Sequence, residues 1–125
     1  MGSTCPLAGR SILVVEDEPL VTLEVAEALS ASGAKVVSAV RAAKAIELLE
    51  SADVAAAVVD IKLDTDDCST VCQRLAVRGI PFLFYSGYSK GPDGWPDIPI
   101  IRKPARPEQI VDAVGHLCGS EQIAA

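Results

Sequence analysis

Five side chains capable of chemistry stand where short apolar runs give way to polar sequence. Glu16 and Asp17 follow Ile12-Leu13-Val14-Val15, and Asp60 follows Val58-Val59. Ser86 follows Phe84-Tyr85, and Lys103 follows Ile100-Ile101-Arg102. Clustered carboxylates repel one another, so the acidic members of this set make sense around a hard divalent cation. Oxygen donors of this kind suit Mg²⁺, which takes one or two carboxylates and leaves its other positions to water and phosphate. An aspartate beside such an ion can attack a phosphoryl group and become an aspartyl phosphate. A nearby hydroxyl and an ammonium can hold the transferred oxygens, because phosphoryl transfer depends on positioning and charge neutralisation.

These groups meet only if the apolar runs are strands of one sheet, all ending at the same edge. Ser11–Val15, Lys35–Ala39, Val54–Asp60, Pro81–Tyr85 and Ile98–Ile101 read as strands. Helical spacing separates them. Pro19 opens a first helix with Val21, Val25, Ala28 and Leu29 inward, and Gly33 caps it in a left-handed conformation. Ala42, Ala45, Ile46 and Leu49 line a second helix. Cys68, Val71, Cys72 and Leu75 line a third, ended by Gly79, while Pro107 opens a last helix with Ile110, Val111, Val114 and Leu117 inward. Strands apolar on both faces belong to a parallel sheet covered on both sides, so the chain reads as an α/β doubly wound domain. Ligands of such sheets bind beyond the carboxyl ends of the strands, where the five side chains stand. The stretch from Ser86 to Asp97 breaks the alternation. Gly87, Gly91, Gly94, Pro92 and Pro96 make a normal helix there unfavourable, and Trp95 within the stretch is open to two roles, docking a partner or packing the loop down.

The chain has 125 residues, half of them hydrophobic, which fits one domain with an aliphatic core. A net charge of −6 and the lack of a basic run argue against nucleic acid or an anionic membrane as partner. No apolar stretch reaches the roughly 20 residues that span a bilayer. Met1–Arg10 lacks the pattern of a signal peptide, so a cytoplasmic location is expected. Cys68 and Cys72 lack a second ligand pair for structural zinc and read as small hydrophobes of a helix face.

The run Ile12-Leu13-Val14-Val15-Glu16-Asp17-Glu18-Pro19, then Val58-Val59-Asp60, Ser86 and Lys103-Pro104, strongly resembles the receiver domain of two-component response regulators. The resemblance covers residues 10–119, with 1–9 and 120–125 as terminal tails. It implies a flavodoxin-like (βα)5 receiver fold with strand order 2-1-3-4-5, its fourth helix short or absent here. It further implies that Asp60 is the phospho-acceptor, Ser86 the switch hydroxyl and Lys103 the conserved-type lysine. Glu16, Asp17, Asp60 and the backbone carbonyl of Lys62 then hold Mg²⁺, with Mn²⁺ as a substitute. The implied donor is a sensor histidine kinase or a histidine phosphotransfer protein, and the chain assists its own phosphorylation and dephosphorylation without being an enzyme in its own right. Phe84-Tyr85-Ser86-Gly87-Tyr88, preceded by Pro81-Phe82, is similar to the FATGUY receivers of alphaproteobacteria, which serve kinases of the HWE or HisKA2 type. Tyr85 stands there for a small residue and Ser86 for a threonine.

Other departures are Ile100, where many receivers carry a switching aromatic, Ala105, where Phe is frequent, and Asp64, where proline is common. The expected role is that of a stand-alone receiver, monomeric or weakly dimeric, with output through protein contacts or phosphate drainage. The alternative is a receiver-like docking module that works without phosphorylation. A phosphatase with an aspartate nucleophile wants a second acid two residues on, where Lys62 stands. A flavin carrier wants a phosphate loop where Glu16-Asp17-Glu18 would repel the phosphate.

Overall fold

Aliphatic residues dominate five short strands: β1 (Ser11–Val15), β2 (Lys35–Ala39), β3 (Ala56–Val59), β4 (Phe82–Ser86) and β5 (Ile100–Arg102). Four helices alternate with them: α1 (Pro19–Ala31), α2 (Ala42–Ser51), α3 (Ser69–Val77) and α4 (Pro107–Ala124). The structure is a computed structural model that describes residues 7–61, 68–87, 91–92 and 94–124, side chains of 119–124 excepted. All strand pairings are parallel, in the order β2-β1-β3-β4-β5, as the resemblance implied.

The sheet has two buried faces, as the two-residue alternation of side chains along a strand requires. One face carries Leu13, Val15, Ala57, Val59 and Phe84 against Ala45 and Leu49 of α2 and Cys72 and Leu75 of α3. The other carries Ile12, Val14, Val58, Leu83 and Tyr85 against Val25 and Leu29 of α1 and Ile110 and Val114 of α4. Cys68, Cys72 and Cys118 are buried, Cys68 and Cys72 as the small hydrophobes of a helix face read from the sequence. Pro19 sits in the first turn of α1, where its missing N–H costs nothing. Gly33, at φ +94°, turns the chain after that helix, and the Ala34 N–H reaches back to the Leu29 carbonyl at 3.1 Å.

Prolines trim two strands relative to the sequence expectation. Pro81 and Pro99 accept through their carbonyls, from Ala57 N–H at 3.1 Å and Phe84 N–H at 2.8 Å, but have no N–H to donate. β4 therefore starts at Phe82 and runs on to Ser86, which pairs with Arg102, and β5 starts at Ile100 rather than Ile98. β3 spans Ala56–Val59, shorter than Val54–Asp60, because its register with β1 opens at Ile12–Ala56.

Among the described residues no helix lies between β4 and β5, in agreement with the glycines and prolines there. What covers this part of the sheet is an aromatic plug. Trp95 is half-buried and stands edge-on to Phe82, ring centroids 5.8 Å apart, and Phe82 does the same to Phe84 at 5.8 Å. Gly91 lies so close that a Cβ there would sit 3.5 Å from both Phe84 and Ile100. Between docking and packing, the two roles open to Trp95 on sequence, the structure shows packing. Among the described residues no helix is long and apolar enough to cross a membrane.

Candidate functional site

The site grows out of strand adjacency. Because β1 and β3 are parallel neighbours, the residues that follow them emerge side by side. The backbone ladder continues one residue past both strands: Glu16 N–H donates to the Ala39 carbonyl at 3.0 Å, and Asp60 N–H to the Val15 carbonyl at 2.9 Å. Glu16 and Asp60 are buried at 4% and 6% exposure, while Asp17 is half-buried. One carboxylate oxygen from each of Glu16, Asp17 and Asp60 lies within 4.8 Å of the other two. An all-oxygen donor set of this spacing, with two members withdrawn from water, fits Mg²⁺.

Lys103 reaches this cluster from the other end of the sheet. Its backbone N–H donates to the Ser86 carbonyl at 2.8 Å, which extends the β4–β5 ladder beyond Arg102. The side chain then crosses towards β1 and β3. Its ammonium lies 3.0 Å from Glu16 Oε1, 2.9 Å from Glu18 Oε1 and 3.4 Å from Asp60 Oδ2. Ser86 ends β4 at the same edge and is buried. Glu16, Asp17, Asp60 and Lys103 are thus brought together, with Ser86 on the neighbouring strand. Lys62, whose carbonyl was the remaining expected metal ligand, lies outside the described residues, as do Asp64 and Tyr88.

Two participants were not anticipated. Glu18, read only as part of an acidic run, binds the Lys103 ammonium and donates its own N–H to Glu16 Oε2 at 3.1 Å. Tyr85, noted only as an unusual replacement, places its ring 5.7 Å below the Lys103 ammonium and accepts a hydrogen bond from Ala105 N–H at 3.1 Å. The signal available for Tyr85 was its position directly before Ser86. The signal for Glu18 was an acid two residues after Glu16 at a strand end.

Burial pushes the Glu16 carboxyl up to about 7, and the Asp60 charge adds to this. Hydrogen bonds from Lys103 and from the Glu18 N–H oppose the rise without cancelling it. For Lys103, burial alone favours the neutral amine. Hydrogen bonds to Glu18 and Glu16 outweigh it, with the charges of Glu16 and Asp60 adding, so its proton is held more tightly than usual. The ammonium is therefore present throughout the physiological range. A raised Glu16 value means that the metal-free native state binds a proton that the unfolded chain releases above about 4.5. Its contribution to stability is full below that value and is lost as pH rises through about 7. In metal-free denaturation series, the stability of the wild type relative to Glu16→Gln should fall steadily from pH 5 to pH 8. A difference that is flat or rises with pH would contradict this.

A sequence profile of the response regulator receiver domain matches residues 12–95. The chain belongs to this family. Receivers are components of two-component signalling and bind Mg²⁺ through acidic residues; Glu16, Asp17 and Asp60 form an acidic cluster here. The receiver is 38% identical over 84 residues to the sensor protein TorS of Escherichia coli K12, an alignment covering 66% of this chain and 9% of that protein. Among solved structures it resembles a response regulator receiver protein from Sinorhizobium medicae WSM419, at 29% identity and TM-score 0.80, covering 89% of this chain and 95% of that one. SdrG from Sphingomonas melonis Fr1 is similar at 29% identity and TM-score 0.77, covering 90% and 97%. PhyR from Brucella abortus, at 21% identity and TM-score 0.81, shares the fold over 97% of this chain and 53% of its own.

Proposed function

We propose that the receiver takes a phosphoryl group onto Asp60 from the phosphohistidine of a sensor histidine kinase or histidine phosphotransfer protein. The P–N bond breaks as a P–O bond forms to Asp60, and the leaving imidazole keeps the electron pair and takes up a proton. The observation that carries this reading is the Lys103 ammonium, which crosses from β5 to lie 3.4 Å from Asp60 within an acidic cluster. A cation fixed beside the nucleophile meets the negative oxygens of an incoming phosphoryl group, with little reorganisation at the moment of transfer. Ser86, at the end of the adjacent strand, supplies a hydroxyl to the same oxygens. Mg²⁺ held by Glu16, Asp17, Asp60 and the Lys62 carbonyl would neutralise further charge on the phosphoryl group.

The test is incubation with acetyl phosphate and Mg²⁺, reduction of the acyl phosphate and mass spectrometry. Label on Asp60 supports the reading; a chain that stays unlabelled with every acyl phosphate and histidine kinase tried refutes it. The metal ligands differ in availability. Both Glu16 oxygens face Lys103 or the Glu18 N–H, whereas Asp17 is more open to solvent. Asp17→Ala should therefore weaken Mn²⁺ binding more than Glu16→Ala, by titration calorimetry; equal losses would refute the ranking.

The likeness to SdrG and to the Sinorhizobium receiver, over nearly the whole of those chains, supports a stand-alone receiver spanning residues 10–119. The motif Pro81-Phe82 with Phe84-Tyr85-Ser86-Gly87-Tyr88 supports membership in the FATGUY group and with it a kinase of the HWE or HisKA2 type. The output of such a receiver is a protein contact or the drainage of phosphate from its kinase.

A further inference from the structure

Tyr85 is buried to 4% exposure on the sheet face covered by α1 and α4, yet both of its polar capacities point to the site. The cause lies in the β4–β5 register. Tyr85 stands opposite Ile101, and side chains two residues apart on a strand share a face, so the Lys103 stem passes over the Tyr85 ring. The ammonium ends 5.7 Å from the ring centroid, within the range at which an aromatic face attracts a cation. The phenol oxygen meanwhile accepts from the Ala105 N–H at 3.1 Å, two residues beyond Lys103. One side chain thus grips both the head of Lys103 and the backbone just past it.

This grip matters because Lys103 is pulled two ways. Glu16 and Asp60 are buried, while Glu18 is 61% exposed and draws the ammonium towards solvent. The ring limits that excursion. We propose that Tyr85 is a positioning residue for phosphoryl transfer, its ring holding the Lys103 ammonium over Asp60 and its hydroxyl pinning the segment that carries Lys103. The proposal rests on the phospho-acceptor reading of Asp60.

Tyr85→Phe keeps the ring and loses the hydroxyl; Tyr85→Leu keeps apolar bulk and loses both. Uptake from acetyl phosphate should slow about twofold to threefold in the first and about tenfold in the second, while Mn²⁺ affinity stays at the wild-type value in both. That split separates positioning of Lys103 from general damage to the fold, which would weaken metal binding as well. Uptake by Tyr85→Leu at the wild-type rate, or joint loss of uptake and metal binding, overturns the proposal. Proton NMR of the Lys103 ε-methylene reads the same arrangement without phosphorylation. An upfield ring-current shift in the wild type and Tyr85→Phe, absent in Tyr85→Leu, is expected. A wild-type resonance at the solvated-lysine position overturns the proposal. If the wild type takes up no phosphoryl group, the phospho-acceptor reading falls and the ring-current shift alone decides whether Tyr85 holds Lys103.

Discussion

Asp60→Asn is expected to bring phosphoryl labelling below detection while the domain folds with a thermal midpoint at or above that of the wild type. An amide oxygen carries no full charge with which to attack phosphorus, and the buried Ser86 hydroxyl is a poor nucleophile at its ordinary acidity. Asparagine has nearly the shape of aspartate, and the Asp60 N–H bond to the Val15 carbonyl is a backbone bond that survives the exchange. Lys103 keeps Glu16 and Glu18 at 3.0 and 2.9 Å, so it is not left as an isolated buried charge. The exchange also removes one negative charge from a cluster whose carboxylate oxygens lie within 4.8 Å of one another. Labelling kinetics and thermal melts of the two proteins check both halves. Labelling at the wild-type rate would place the acceptor elsewhere.

The second large effect belongs to Lys103→Ala, which should act on stability and on phosphoryl uptake through the same missing charge. Removing one partner from a buried ionic group is costly because the opposite charges stay out of water. Here Glu16 and Asp60 are the buried partners, at 3% and 7% side-chain exposure. The expected loss in metal-free stability at pH 8 is about 3 kcal/mol, the lower end for breaking a buried pair because the Lys103 side chain is 17% exposed. It should be smaller at pH 5.5, where Glu16 takes up a proton instead, and saturating Mg²⁺ should restore part of it. Uptake should fall about 100-fold, the effect of deleting one preorganised donor to the reacting oxygens. Denaturant titrations at the two pH values, with and without Mg²⁺, test the first part. Uptake within twofold of wild type would remove Lys103 from the proposed chemistry.

The order of elements and the positions of the acids were legible because they are local properties. Ser11–Val15 and Lys35–Ala39 match the observed strands residue for residue, since each is a short stretch rich in β-branched residues and bounded by turn signals. Gly33 and Gly79 both adopt positive φ where the sequence placed helix ends. The strand limits near Pro81 and Pro99 were harder to place. Each proline keeps one ladder bond through its carbonyl and forgoes the other, which alternation of apolar residues does not reveal. Of the partners of Lys103, Glu16 and Asp60 were legible as residues of the same sheet edge, whereas Glu18 and Tyr85 were not. Glu18 lies 85 positions away, and the Tyr85–Ala105 bond depends on how β4 and β5 are registered. Trp95 was undecided because an aromatic in a glycine-rich segment serves docking and packing equally well; only the nearby ring of Phe82 distinguishes them.

The two faces of the sheet are assembled from different stretches of chain, and this sets an order for synthesis on the ribosome. The α2–α3 side draws its helices from residues 42–77, so it can close soon after β4 and the Trp95 plug have emerged. The opposite side needs Ile110 and Val114 of α4 to cover Val14 and Val58 beside α1. Until residue 118 has left the exit tunnel, a nascent chain presents a half-finished sheet with one oily surface bare. Stalled chains whose emerged part ends near residue 105 should accordingly recruit holdase chaperones, and those that have released α4 should let them go.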